Sequence, residues 1–405
     1  MEQEEIEYPV GDSAIAYTSN KTWDDLNLKG SLLRNLEKIN WVAPTNIQAI
    51  AIEMVTSGKN IAGQSKNGSG KTGAFVIGCL NRIDKDFGAV QAICISHSRE
   101  LNQQNFTVFT KIAEDTGVII GICQKGDRAV PRCHVLCGTH GTLVNLFKAN
   151  RENLADIKLI IYDECDFLLT HPGVMNNISA LRAAAPESQQ VLFSATFTEQ
   201  VWEFIRQNIS NPTIIKIKKE EDLTLTNVEQ YLIECSEHEK PNVILSLIRQ
   251  ANLRTCLIFL NKKVELDQLH AFLTSKGYKA HVFAADRTDE NVRDEIIEKV
   301  KRGEVKVLLC TNLLSRGVDL RHINIVINAD PPIGENRSVD FHTYLHRVGR
   351  TGRFGRKGLS VNIVSSTESL KYYEEIEKHF GHPFLRGSID EIAASLEVVN
   401  EDYAI

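Results

Sequence analysis

Ser65-Lys66-Asn67-Gly68-Ser69-Gly70-Lys71-Thr72 follows an apolar stretch and leads into Gly73–Leu80, which reads as a helix. Glycines let a backbone fold around phosphate oxygens, and a helix N-terminus offers unpaired N–H donors. Lys71 is spaced to reach the β- and γ-phosphates of a nucleotide, and Thr72 to hold Mg²⁺. Ser65 stands where the strict phosphate-loop pattern has glycine, a departure at one residue. The alternative for the segment in isolation, a glycine-rich surface turn ending in a solvated lysine, is the weaker reading. Its surroundings decide between the two.

Those surroundings are short apolar runs bounded by polar or turn residues. In the first half they are Ala92–Ser96, Val135–Cys137, Leu159–Tyr162 and Val191–Phe193. In the second half they are Cys256–Leu260, Val305–Cys310, Ile323–Ile327 and Leu359–Val364. Each is too short for an ordinary helix and rich in β-branched residues, so strands are expected. Near-continuous apolarity implies burial on both faces, as in a parallel sheet. Helical stretches alternate with them, among them Ser31–Ile39, Val201–Asn208 and Asn291–Lys301. Two such alternating sets predict an α/β chain of two doubly wound parallel-sheet domains. The expected division is an extension over 1–22, a first domain over 23–216, a linker over 217–227, a second domain over 228–390 and a tail over 391–405. The part after Gly381 is expected to be helical only in part.

Composition agrees with this and narrows little else. A chain of 405 residues, 42% hydrophobic, is too long for one ordinary core. The formal net charge of −6 means that any nucleic-acid contact must come from a local basic patch. Nine cysteines sit mostly in apolar runs, which reads as reduced, buried thiols in a cytosolic or nuclear protein. The acidic start carries no apolar signal segment, and no run approaches membrane-spanning length, so no membrane association is expected.

Asp163-Glu164-Cys165-Asp166 follows the expected strand Leu159–Tyr162, at the strand end where open α/β sheets bind ligands. Asp163 suits Mg²⁺ contact and Glu164 suits activation of an attacking water. An acidic helix start favoured by the dipole would look the same, but a phosphate loop upstream argues against it. In the second half, His346-Arg347-Val348-Gly349-Arg350-Thr351-Gly352-Arg353 interleaves arginine with glycine, which is poor helix and poor core material. Arg350 and Arg353 are the candidates for stabilising charge on a transferred phosphoryl group. Cys133, His134, Cys137 and His140 hint at zinc, but Cys133 and Cys137 on a strand lie roughly 13 Å apart, too far for converging ligands. Cys165 reads as a packing residue.

Together these motifs resemble the DEAD-box RNA helicase family, from Trp23 to about Gly381. Trp23 and Gln48 look like the aromatic and glutamine of the adenine-reading Q motif, with Trp41 as the stacking aromatic. Ser98-Arg99-Glu100-Leu101 and Gly138-Thr139-His140-Gly141 resemble the first two RNA-contact motifs. Ser194-Ala195-Thr196 resembles the motif coupling ATP state to RNA grip, and Thr311-Asn312 with Ser315-Arg316-Gly317-Val318-Asp319 resembles the fifth motif. His346 to Arg353 resembles the sixth.

The resemblance implies two tandem RecA-like domains with ATP and Mg²⁺ in the cleft between them. It implies nucleotide contacts from Trp23, Trp41, Gln48, Ser65, Gly68, Gly70, Lys71, Thr72 and the ribose-reading Asp319. RNA contacts are implied for Arg99, Glu100, Gly138, Thr139, Thr311 and Arg316, and coupling for Ser194, Thr196 and His346. Lys71, Glu164, Arg350 and Arg353 are the implied catalytic set.

Departures fall mainly on the RNA side and on coupling. His97 replaces the usual proline and Asn102 an alanine; His140 and Thr142 replace proline and arginine; Ala284-Ala285-Asp286 replaces His-Gly-Asp, and Glu290 sits near the usual glutamine. A long stretch from Asp330 to His346, with Ser65 and Thr142, is similar to the branch acting in mRNA export at the nuclear pore. Cys165 is instead similar to a splicing-and-export branch, which ranks second. The implied partners are single-stranded RNA or mRNA–protein complexes, a nucleoporin and an export activator, with the chain acting as a monomer in the cytoplasm and nucleus. The rival from another class is a nucleotide-gated RNA-binding scaffold with little turnover, motivated by Ala284, Ala285 and Glu290.

Overall fold

The computed structural model describes residues 4–8, 18–65, 68–150, 156–170, 172–217, 227–250, 255–284, 290–312, 320, 322–334, 337–352 and 356–402. The chain divides into two compact units, residues 1–219 and 220–405.

Among the described residues, the first unit carries β1 (Glu5–Tyr8), β2 (Ile61–Gln64), β3 (Ala92–Ser96), β4 (Ile120–Ile122), β5 (Val135–Thr139), β6 (Leu159–Asp163), β7 (Gln189–Ser194) and β8 (Thr213–Ile217). They form one sheet in the order β1-β8-β2-β7-β6-β3-β5-β4, with every pair parallel. The second unit carries β9 (Val228–Glu234), β10 (Thr255–Phe259), β11 (Ala280–Phe283), β12 (Val307–Cys310), β13 (Ile323–Asn328), β14 (Gly358–Val364) and the short β15 (Leu385–Arg386). Their order is β11-β12-β10-β13-β14-β9-β15, again all parallel. Helices connect most successive strands in both units, as parallel pairing favours; among the described residues none lies between β4 and β5 or between β12 and β13.

The apolar runs became strands because each buries side chains on both faces. β3, β6, β7 and β10 are buried along their whole length. The first core gathers Ile93, Ile160, Leu192 and Ile214 from neighbouring strands against Leu143, Phe147, Ile178 and Phe204 from helices. In the second unit one core layer joins Ile258, Leu309, Ile327 and Val361, and the opposite face of the sheet carries Leu257, Leu308 and Val326.

Three expected boundaries change. The segment expected to be an extension is part of the first sheet, because Glu5–Tyr8 pairs with Ile214–Ile217 along the open edge of β8. Glu5 also pairs with Lys216 at 2.6 Å and Glu4 with Lys59 at 3.2 Å. Main-chain pairing of an acidic tetrapeptide has no apolar signature, which is why it was not legible. The tail is likewise integral: Ile389–Asp402 is a helix whose Ile392, Leu396 and Val399 enter the second core. Ile217 closes β8 instead of opening the linker, and most of the rest of the expected linker lies outside the described residues. All nine cysteines are free, and every one except the half-buried Cys235 is buried. Among the described residues no helix is long and apolar enough to cross a membrane.

The helices Asn46–Ser57 and Lys71–Arg82 pack closely because Gly78 has no side chain. A Cβ there would stand 2.7 Å from Val55 Cβ. Gly78→Ala should therefore lower the urea midpoint of the first unit's transition, overpacking at about 1–3 kcal/mol outweighing the roughly 1 kcal/mol gained in helix propensity. A raised midpoint would show that the helices can separate freely.

Candidate active site

Parallel pairing brings the ends of all strands of a sheet to one side. In the first unit this side receives the phosphate loop after β2, Ser98 after β3, His140 after β5, Asp163 and Glu164 at the end of β6, and Ser194 to Thr196 at the end of β7. The phosphate loop is tied to that edge by the Ser65 N–H, which donates to the Ser194 carbonyl at 3.0 Å. Gly70, at φ 99°, turns the chain into the helix Lys71–Arg82 in a conformation open mainly to glycine. The Lys71 ammonium donates to the Ser65 carbonyl at 2.7 Å, folded back across its own loop.

Gln48 closes the loop from the other side. It sits at the third position of its helix, where its side chain accepts from the Thr45 N–H at 2.9 Å in a capping box. Its amide N–H donates to the Gly70 carbonyl at 3.2 Å. Trp23 is buried, donates through Nε1 to the Trp41 carbonyl at 2.7 Å, and its ring is roughly parallel to that of Trp41 at 6.5 Å. Gly73 has room for neither a methyl nor more, since a Cβ would stand 2.5 Å from Gln48 Nε2 and 2.8 Å from the Trp41 ring.

The acidic end of β6 is buried. Asp163 accepts from Asn105 Nδ2 at 2.8 Å on one oxygen and from the Glu164 N–H at 3.1 Å on the other. Burial pushes its carboxyl up to about 7; the Glu164 charge adds to this, while the Asn105 hydrogen bond and the Lys71 ammonium oppose it. Glu164 has φ 53°, a left-handed conformation that costs a non-glycine residue energy and is held here by the strand and helix on either side. Asp166 accepts from Thr196 Oγ1 at 3.0 Å, and its N–H reaches Ser194 Oγ at 3.4 Å, so the ends of β6 and β7 are cross-linked by side chains. Cys165 is buried in the core, and burial raises its thiol far above the ordinary range.

The second unit is organised around Arg347, fully buried in the helix Phe341–Val348. Its guanidinium donates to Asn312 Oδ1 at 2.6 and 3.0 Å, to Asn261 Oδ1 at 2.8 Å and to the Asp330 carbonyl at 2.7 Å, and it lies 5.0 Å from the Phe259 ring centre. Burial lowers its pKa. Asp330 accepts from Lys240 at 2.6 Å and from the Asn261 N–H at 2.8 Å. Burial alone would lower Lys240, but Asp330 and Glu237 together outweigh that and hold it above its ordinary value. Arg350 is buried, with Nε donating to the His346 carbonyl at 3.2 Å.

The DEAD/DEAH box helicase domain matches residues 45–204, and the helicase conserved C-terminal domain matches residues 239–355. The ATP-dependent RNA helicase dbp5 of Schizosaccharomyces pombe is 33% identical over 390 residues, covering 94% of this chain and 77% of the relative. This chain belongs to the DEAD-box family of ATP-dependent RNA helicases. A solved structure of S. cerevisiae Dbp5 bound to RNA and ADP BeF3 matches with a TM-score of 0.88 at 29% identity, covering 94% of this chain and 99% of that one. A variant of the same yeast protein bound to nup159, a gle1 variant, IP6 and ADP matches with a TM-score of 0.66 at 28% identity, covering 93% and 100%. The sheets are those of tandem RecA-like domains.

Within this DEAD-box chain, the first unit brings together Gln48, Ser65, Gly68, Gly70, Lys71, Thr72, Asp163, Glu164, Ser194 and Thr196. Arg99 opens a helix capped by the Ser98 side chain on the Leu101 N–H, and the next residue, Glu100, is buried. Gly138 lies inside β5, where Cys123 and Leu143 fill the place of a side chain, whereas Thr139 at the strand end contacts Thr142 Oγ1 at 2.9 Å. Arg316, Asp319 and Arg353 lie outside the described residues, as does Ala285, and the Glu290 side chain is not described. Of the residues considered for zinc, His134 accepts from the Ile119 N–H at 2.8 Å and His140 meets Asn177 at 3.1 Å.

Sequence reading passed over Asn105, Asn261, Asp330 and Arg347 as individual contributors. Arg347 stood in a quoted motif, but nothing in one dimension distinguishes a buried arginine from an exposed one. Arg347→Lys keeps the charge and loses the planar fork, leaving Asn261 and Asn312 without donors. The second unit's urea transition should shift down by the equivalent of about 2–4 kcal/mol. An unchanged transition would mean that these amides find other partners.

Proposed function

We propose that this chain is an RNA-stimulated ATPase that separates short RNA strands or strips proteins from RNA, acting on messenger RNA–protein complexes during export. The carrying observation is the buried locus in the first unit, where the phosphate loop, the Asp163 carboxylate and the Asp166–Thr196 cross-link meet at the strand ends. Support for the export role is the likeness to a yeast protein solved with RNA, nup159 and gle1. By that likeness a nucleoporin and an export activator are proposed as partners, with action at the cytoplasmic and nuclear sides of the pore.

ATP is the proposed nucleotide. Gln48 would read the adenine edge through its paired donor and acceptor, and Trp41 would stack on the base. The donor set offered by Thr72 and Asp163 is hard oxygen, which fits Mg²⁺, and Lys71 acts electrostatically on the Asp163 carboxylate. When bound, Mg²⁺ supplies charge neutralisation on the phosphates. Lys71 would release the Ser65 carbonyl and swing to the phosphates. Glu164 would orient and deprotonate the attacking water. Asp166, Ser194 and Thr196 would carry the nucleotide state from β6 to β7, next to the proposed RNA-contact residues Arg99, Glu100 and Thr139. Thr311 of the second unit is proposed for the same RNA path, and His346 for coupling. Backbone contacts would dominate, so RNA binding should be largely independent of sequence.

ATP hydrolysis with and without single-stranded RNA tests the reading against a non-hydrolysing scaffold. RNA should raise the rate in the unaltered chain. Lys71→Ala should abolish it, and Glu164→Gln should stop hydrolysis while retaining ATP binding. RNA-independent or absent turnover overturns the proposal.

Arg350 is proposed to act on the transition state. Arg350→Ala should lower RNA-stimulated kcat by about 10³-fold, as for removal of an arginine finger, with little change in ATP affinity without RNA. Arg350→Lys should rescue little. Equal losses in binding and in single-turnover hydrolysis would make Arg350 an ordinary ligand contact.

A further inference from the structure

The helix Arg99–Ile112 buries Glu100, Leu101, Asn102, Asn105, Phe109 and Ile112. Leu101, Asn105, Phe109 and Ile112 recur at helical spacing on its inward side. Asn105 has no exposed surface. Its amide nitrogen faces Asp163 Oδ2 at 2.8 Å, Ser96 Oγ at 3.2 Å and Cys94 Sγ at 3.8 Å. Its carbonyl oxygen is buried without a hydrogen-bond partner. A buried polar atom left unpaired is unfavourable, and an apolar side chain at this position would avoid it. Packing of the helix alone therefore does not account for an asparagine here.

The contact with Asp163 does account for it. Asp163 has one protein donor on each oxygen, Asn105 on Oδ2 and the Glu164 N–H on Oδ1. Two donors on opposite oxygens fix the plane of a carboxylate as well as its position. One of them comes from the residue that follows Asp163 in a strained turn, and the other from a separate helix packed on β3, β4 and β5. Asn105 thereby links the carboxylate to the helix that begins with the proposed RNA-contact residues Arg99 and Glu100.

We propose that Asn105 is a positioning residue that holds the Asp163 carboxylate in the orientation required by the Mg²⁺–nucleotide. This rests on the reading of Asp163 as the Mg²⁺ contact. Residues that hydrogen-bond to metal-binding side chains commonly change metal affinity 10–100-fold when replaced. Loss of Asn105 should thus weaken the Mg²⁺-dependent part of nucleotide binding and leave the Mg²⁺-independent part alone. A purely structural residue would affect both together.

The test uses the full chain and a fluorescent ADP analogue, titrated with Mg²⁺, for the unaltered protein, Asn105→Leu and Asp163→Asn. In Asn105→Leu the Mg²⁺ concentration giving half-maximal enhancement of ADP binding should rise about tenfold. ADP affinity without Mg²⁺ should change far less than the Mg²⁺ dependence, and the urea midpoint should fall by no more than the loss of one hydrogen bond to a buried carboxyl implies. Should Asn105→Leu fail to fold, Asn105→Ser, whose short hydroxyl cannot reach Asp163, carries the same expectation. An unchanged Mg²⁺ dependence at position 105 beside a weakened one in Asp163→Asn overturns the role of Asn105 and leaves that of Asp163. If neither substitution alters the Mg²⁺ dependence, the assignment of Asp163 falls and the proposal falls with it.

Discussion

A parallel sheet places the carboxyl end of every strand on the same side, and among the described residues every strand pair within the two sheets is parallel. The chain must cross back over the sheet after each strand, so the residues just past β2, β3, β5, β6 and β7 converge although more than a hundred positions separate the first from the last. No single motif makes the site. The phosphate loop gains its acidic neighbour because β7 pairs with both β2 and β6, and Ser65 and Asp166 both hydrogen-bond to Ser194 at the end of that strand.

Both units stabilise a buried charge mainly with amides. Asp163 is held by a carboxamide and a backbone N–H, and Arg347 by two asparagine side chains and a backbone carbonyl. A neutral dipole fixes the direction of a charged group without cancelling the charge, whereas an ion pair cancels most of it. Lys240 and Asp330 show the other arrangement a few residues away, with opposite charges in contact. Asn105 and the Glu164 N–H orient the Asp163 carboxyl without pairing it to an opposite charge, and the Lys71 ammonium rests on a carbonyl.

Close contacts add a second layer of definition. Gly73 lets Gln48 and Trp41 lie against the helix that starts at Lys71, and Gly78 lets that helix meet its neighbour one turn further along. Gln48 and Trp41 are therefore packed against the start of the helix that follows the glycine-rich loop. Glu164 is twisted into a left-handed conformation between a strand and a helix, so its carboxylate is aimed by the backbone on both sides.

Much of this was readable from the chain. Strands such as Ala92–Ser96 and Ile323–Asn328 announce themselves because burial on both faces demands continuous apolarity, and the glycine-rich loop before Lys71 because its pattern is consecutive in sequence. The acidic strand Glu5–Tyr8 was not readable, since it is held by main-chain pairing and surface charges. The helix Ile389–Asp402 had the right spacing of apolar residues but nothing nearby in sequence to pack on; its core partners come from the helix Lys240–Gln250 and from β13 and β14. Asn105 and Arg347 are the sharpest cases. Their residue types are unremarkable in one dimension, and their roles exist only because folding carries a helix over Asp163 and gathers Asn261, Asn312 and Asp330 around one guanidinium. Local sequence determines which groups can bind phosphate and which runs must be buried. Only the tertiary structure decides which distant dipoles orient them, because the donors and acceptors concerned lie tens of residues apart along the chain and meet through packing alone.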